Sequence, residues 1–173
     1  MKSNNLILGA IAAAALAGCA SMLPGPTATA TLAPTAGNTT AGTVQFVQRG
    51  DRVHVSGEVR GLRPNAEHGF HVHEKGDCSS GDGNSAGGHF NPDGAPHGRH
   101  GAGTHHVGDI PSLRANANGV ARFDFTSTTI RLGNGPHSVV GRGLIVHRDP
   151  DDYTTQPTGN AGARLACAVI TRS

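Results

Sequence analysis

Between Asp51 and Arg60, valine stands at positions 53, 55 and 59 with polar residues around it, so one face of an extended segment is apolar and the other is wet. The signature recurs along the chain. Thr43–Gln48 (T-V-Q-F-V-Q) is rich in strand formers. Glu67–Glu74, Ser138–His147 and Leu165–Thr171 are further strand segments, and Val120–Ser127 alternates imperfectly. Thr27–Leu32 alternates enough to be a first strand, and Arg49-Gly50-Asp51 reads as a hairpin turn. No segment carries a helical stripe, and the 26 glycines favour turns over long helices. Short alternating segments joined by turns bury their apolar faces by pairing into an antiparallel sandwich or barrel. The 173 residues suit one such domain with a core of its own.

Phe70-His71-Val72-His73 follows the same period. His71 and His73 share one face, while Phe70 and Val72 turn to the other and can join the core. Two imidazoles backed by a rigid sheet make a preorganised half of a metal site. His147, closing Leu144–His147, can add a third nitrogen from a neighbouring strand. Taken singly, each of these is more often a plain strand-surface histidine. The stretch from Lys75 to Asp109 has no periodicity and is full of Gly, His, Pro and Asp. Loops that long are uncommon unless functional. It holds His89, His97, His100, His105, His106 and Asp109, out of 11 histidines in the chain. Three imidazoles and one carboxylate are the donor set of a closed zinc site. The plainer alternative is a histidine-rich tract that binds metal loosely or buffers protons.

The N-terminus reads as an address. Lys2 precedes an apolar run, Leu6–Ala17, that is short for a membrane span and fits a signal peptide. Leu16-Ala17-Gly18-Cys19 looks like a bacterial lipobox, with Cys19 lipidated and anchoring the chain to a membrane. An ordinary signal peptide cut near Ala20 is the alternative. The division expected is a signal peptide at 1–18, a tether at 19–26 and one domain at 27–173. Removing residues 1–18 takes away one charge, Lys2, and leaves a balance of +1. With no basic block, no Trp, one Tyr and five Phe, nucleic acid is not a partner. Beyond Cys19 the chain has Cys78 and Cys167, which an exported protein is expected to pair.

Five ordered motifs resemble those of the Cu/Zn superoxide dismutase family, in its bacterial exported branch. They are Gly69–Glu74 (GFHVHE), Gly88–Pro92 (GHFNP), His106–Asp109 (HVGD), Gly141–His147 (GRGLIVH) and Gly159–Cys167 (GNAGARLAC). The family is itself a standing example of the sandwich architecture and of steered substrate capture. The resemblance spans Thr27 to Arg172 and implies an all-β, antiparallel Greek-key barrel or sandwich of about eight strands with long metal-binding and active-site loops. It implies one copper and one zinc per chain, superoxide as substrate, and antioxidant work in the periplasm or cell envelope. His71, His73, His89 and His147 match the copper ligands. His89, the bridging residue, matches zinc ligands together with His97, His106 and Asp109. His100 is a rival to His97, and His105 a weaker rival to His106. Asp151 resembles the carboxylate that links copper and zinc ligands from behind, with Asp152 as the fallback. Cys78 and Cys167 match the family disulfide, and Arg164 matches the arginine beside copper that docks the anion. His54, His68, His100, His105 and His137 have no required role, although His68 and His137 can support ligands.

The chain departs from the eukaryotic pattern, since His147 and Arg164 are only 17 positions apart and the loop that carries steering charges is short. Lys75, next to the HVH motif, is the steering candidate. The resemblance admits a monomer or a homodimer. Three rival readings compete with this one: a metal buffer without turnover, a copper-only enzyme, and a zinc hydrolase. The full ligand set and Arg164 count against the first, and intact His97, His106 and Asp109 against the second. The third lacks a general-base carboxylate beside an open zinc site.

Overall fold

The structure, a computed structural model, describes residues 25–173, so the signal segment and Cys19 lie outside the described residues. The chain runs β1 (Thr27–Pro34), β2 (Ala41–Arg49), β3 (Arg52–Arg60), β4 (Glu67–His68), β5 (Phe70–His73), β6 (Leu113–Arg114), β7 (Ala121–Ser127), β8 (Gly143–His147), β9 (Arg164–Val169) and β10 (Thr171–Arg172). The only helical turn among the described residues is a 3-10 turn at Asn84–Ala86. The fold is all-β. Its main sheet has the order β5-β8-β9-β1-β2-β3-β7, with β10 beside β1, and its strands pair antiparallel.

The sheet turns at β1. Thr27–Leu32 pair with β2, while Ala33 and Pro34 pair with Cys167 and Ala166 of β9. The strands curl around one core, to which β1 gives Ala28, Ala30 and Leu32, β2 gives Val44 and Phe46, and β3 gives Val53, Val55 and Val59. Phe70 and Val72 of β5 and Leu144 and Val146 of β8 close the other side. Burying each large apolar side chain stabilises by about 1.5–3 kcal/mol.

Two strand expectations change. Glu67–Glu74 is two strands, because β4 leaves the main sheet to pair with β6 while β5 pairs with β8. Gly69 between them gives its N–H to Asp149 O and accepts from His147 N instead. In Ser138–His147 only Gly143–His147 is strand. Val139 is buried in the core from a turn, its N–H bonded to Arg131 O. Its apolar character reflects packing, and the sheet ladder plays no part in it.

The face of β5, β8 and β9 turned away from this core is also buried. It carries His71, His73, Ile145, His147 and Cys167, and the long loop lies over it. The loop is stitched to the free edge of β5: Val72 N donates to Gly108 O at 2.9 Å, Phe90 N to Val72 O at 2.8 Å, and Gly108 N to Phe90 O at 2.9 Å. Gly108 is required here, since a Cβ would stand 2.2 Å from Val72 O. An edge otherwise open to a foreign strand is thereby sealed. Cys78 of the loop is bonded to Cys167 of β9, beside Ile145 and Ala86. Replacing both cysteines by serine is expected to cost about 2–5 kcal/mol, read as a lower midpoint in urea with the far-UV spectrum unchanged.

Candidate metal centre

Register aligns the first three imidazoles. His71 faces Ile145 and His73 faces Gly143 across the β5–β8 ladder, and the shift between Val146 and His147 brings His147 to the same side. His89 comes from the loop, bridged to β5 opposite His73, and Asp109 is bridged opposite His71. Two overlapping groups result: His71, His73, His89 and His147, and then His89, His97, His106 and Asp109. In each, one donor atom per residue lies within 4.8 Å of the others, and all seven residues are buried.

The outward nitrogens are spoken for. His73 Nδ1 donates to Gly87 O at 2.8 Å and His147 Nδ1 to Gly162 O at 3.2 Å. His71 Nε2 and His97 Nε2 reach the two oxygens of one carboxylate, Asp151, at 2.8 and 2.9 Å. Such partners fix the tautomer and turn the remaining nitrogen inward, as around metal ligands. His71 Nδ1, His89 Nε2 and His97 Nδ1 are buried without a hydrogen-bond partner, as is His68 Nε2 outside both groups, and His97 Nδ1 has only the Asp109 carboxylate beside it, at 3.1 Å. Buried nitrogens left so are costly unless something binds them. His89 differs from the rest. Its Nδ1 meets Asp109 Oδ1 at 2.9 Å and His106 Nδ1 at 3.4 Å, and it is the residue common to both groups.

Comparison with known proteins gives the same result. A match to the family described as Copper/zinc superoxide dismutase (SODC) spans residues 40–170. The chain belongs to the copper/zinc superoxide dismutase family. It is 44% identical over 135 residues to the Superoxide dismutase [Cu-Zn] of Paramecium bursaria Chlorella virus 1, covering 75% of this chain and 71% of that one. Among solved structures it is similar to that of the clock protein EA4, with a TM-score of 0.76 and 41% identity, over 84% of this chain and 93% of that one.

The family uses copper and zinc, and the electrostatics of the two groups suit cations. Burial pushes His71 down to about 4 against the opposing pull of Asp151, and so keeps it neutral. Burial, then the neighbouring imidazoles, hold His73 and His147 well below the ordinary histidine value. Neutral imidazoles are the form that binds metal. Burial raises the Asp109 and Asp151 carboxyls, but their histidine partners outweigh it and hold both far below the usual carboxylate range. At His97 burial opposes charge, and Asp109 with Asp151 overcomes it, raising the ring to about 9. Positive charge is therefore favoured where the second group converges.

Arg164 lines a cleft of about 390 Å³ together with His73, His147, Thr158 and Asp82. Its Nη1 donates to Gly83 O at 2.7 Å and its Nη2 to Gly87 O at 2.6 Å. Gly87 O thus holds both Arg164 and His73. Lys75 is exposed just past β5 and does not line this cleft.

The rival residues stand apart. His100 donates from Nδ1 to Asp109 O, and His105 to His106 O, both outside the two groups. Asp152 is exposed and caps its own turn at Thr154 and Thr155. His54 pairs with Asp124 and His137 with Asp93. His68 is buried and donates from Nδ1 to the carbonyl of His147 at 2.8 Å.

Sequence reasoning misses Gln156. Its Oε1 accepts from His97 N at 2.8 Å and its Nε2 donates to His97 O at 3.0 Å, so one side-chain amide clasps both main-chain polar groups of a residue 59 positions away. No pattern around Gln156 announces this, because the partner is main chain. Gly159 is a second such position, since a Cβ there would meet Asp151 Oδ1 at 1.9 Å and His97 Nε2 at 2.5 Å.

Two substitutions test this framework. Asp151→Asn is expected to weaken zinc retention by about 10–100-fold, measured by competition with a chelator. Gln156→Ala is expected to weaken it in the same direction by less, because the carboxylates still hold the ring.

Proposed function

We propose that this chain converts two superoxide anions and two protons into one oxygen and one hydrogen peroxide. His89 carries the reading: it is common to the group of four imidazoles and the group of three imidazoles and a carboxylate, with its Nδ1 on Asp109 and its Nε2 buried without a partner. The first donor set suits copper and the second suits zinc. His71, His73, His89 and His147 would hold copper, and His89, His97, His106 and Asp109 would hold zinc, one of each per chain.

Copper supplies one-electron chemistry between two oxidation states, which zinc does not. The chain's own residues do the remainder. His89 Nε2, buried and unpartnered, is an atom at which a proton can be held and returned. Asp151 fixes rings of both groups together, so a zinc ion held by the second group would have a structural and tuning part. Arg164 keeps donors free beyond the two it gives to carbonyls, and docks the small anion by charge and hydrogen bonding. Asp82 on the same cleft opposes an anion, which leaves the attraction to Arg164 and to more distant charges such as Lys75.

The same reading makes the enzyme an exported lipoprotein of the cell envelope. Residues 1–18 are its signal peptide, lipid on Cys19 its anchor, 19–26 its tether and 27–173 its catalytic domain. The Cys78–Cys167 disulfide supports this, since such bonds persist in oxidising compartments.

Superoxide removal by residues 20–173, titrated with copper at fixed zinc, is expected to rise and saturate near one copper per chain. Tight uptake of both metals without turnover returns the chain to the metal-buffer reading. Arg164→Ala is expected to lower kcat/KM about ten-fold and to flatten its dependence on ionic strength, an effect for which this family is the standing example. Cys19→Ala is expected to move the protein from the membrane fraction to the soluble envelope fraction.

A further inference from the structure

The segment from His97 to His106 carries four imidazoles in two pairs. The inner pair, His97 and His106, has ring centroids 5.5 Å apart and planes at 55°, and belongs to the buried group with Asp109. The outer pair, His100 and His105, has centroids 5.4 Å apart and planes at 56°. The outer pair therefore matches the inner pair in ring separation and tilt.

The outer rings are also held the way ligating rings are held. His100 Nδ1 lies 2.9 Å from Asp109 O, and His105 Nδ1 lies 2.7 Å from His106 O. A carbonyl only accepts, so each Nδ1 carries the hydrogen and each Nε2 presents its lone pair. Backbone carbonyls behind an imidazole fix its tautomer and orientation and raise its basicity as a ligand. Phe125 packs edge-on against His100, with centroids 6.0 Å apart, and restrains that ring further. Both outer rings are half-buried and so remain open to an ion from solvent. The neighbouring Arg99 guanidinium is engaged elsewhere, 3.9 Å over the Tyr153 ring.

We propose that His100 and His105 form a second divalent-cation site on the outer side of this loop, with two imidazole nitrogens and water completing the shell. The chemistry selects borderline ions that favour imidazole, zinc foremost, over calcium or magnesium. The two carbonyls that orient the outer rings belong to Asp109 and His106, members of the inner group. An ion on the outer pair is therefore tied through one hydrogen bond per ring to the main chain of two inner residues, where an ion on its way inward can pause. Only this last role rests on reading the inner group as the zinc site.

The test uses the full holoenzyme, with copper and zinc already bound, dialysed against increasing free zinc. A third equivalent is expected, at least about ten-fold weaker than the inner zinc because it has two protein ligands instead of four. His100→Gln and His105→Gln are each expected to lose it while keeping the first two equivalents. Trace nickel added to the same holoenzyme is expected to broaden the ring protons of His100 and His105 first, a measurement that needs no variant. The proposal is overturned if no third equivalent binds, if it survives both substitutions, or if broadening begins at His54 or His137. Failure of the inner sites would appear separately, as a first uptake other than one copper and one zinc per chain.

Discussion

One carboxylate holds the centre together. Asp151 spends its two oxygens on His71, from a strand, and on His97, from the long loop, residues 80 and 54 positions away in the chain. Oδ1 also accepts from Tyr153 N, so the carboxylate is fixed from its own side. Buried imidazoles without partners would be expensive, and buried carboxylates without partners more so. Each group here answers the need of the other. The two donor clusters are consequently one object: moving either half breaks a bond to Asp151.

The disulfide serves the same end by a different route. Cys78 pins the loop to β9, and that loop carries Gly83 and Gly87, whose carbonyls hold Arg164. Arg164 begins β9, three residues before Cys167. A covalent link and two hydrogen bonds therefore close a small circuit around the arginine. The guanidinium is aimed into the cleft by the same loop that brings His89.

Much of this was legible in the chain itself. The alternation in β3 is plain because one of its faces is polar and the other lies in the core. Phe70-His71-Val72-His73 is readable for the same reason, with the second face reserved for nitrogen. Where both faces are buried or the backbone bends, pattern is a poor guide. Gly69 has no side chain to mark the break between β4 and β5, and Val139 is apolar in a turn. The choice between His97 and His100, three residues apart in an irregular loop, depends on which ring meets Asp109 and Asp151, and that is a tertiary fact. Gln156 and the Gly87 carbonyl lie beyond such reading, because one or both partners are main chain.

The Gly87 carbonyl has an evolutionary side. It accepts from His73 and from Arg164, and so joins a strand-borne imidazole to the guanidinium that lines the cleft. A side-chain acceptor in that place would be exposed to every codon change at its position. A peptide oxygen survives any substitution that leaves the local backbone path intact. Apart from Gly83 and Gly87, whose positive φ favours glycine, the loop can thus drift in sequence, and descendants can retune the cleft's rim without cutting the link between its charge and its ring.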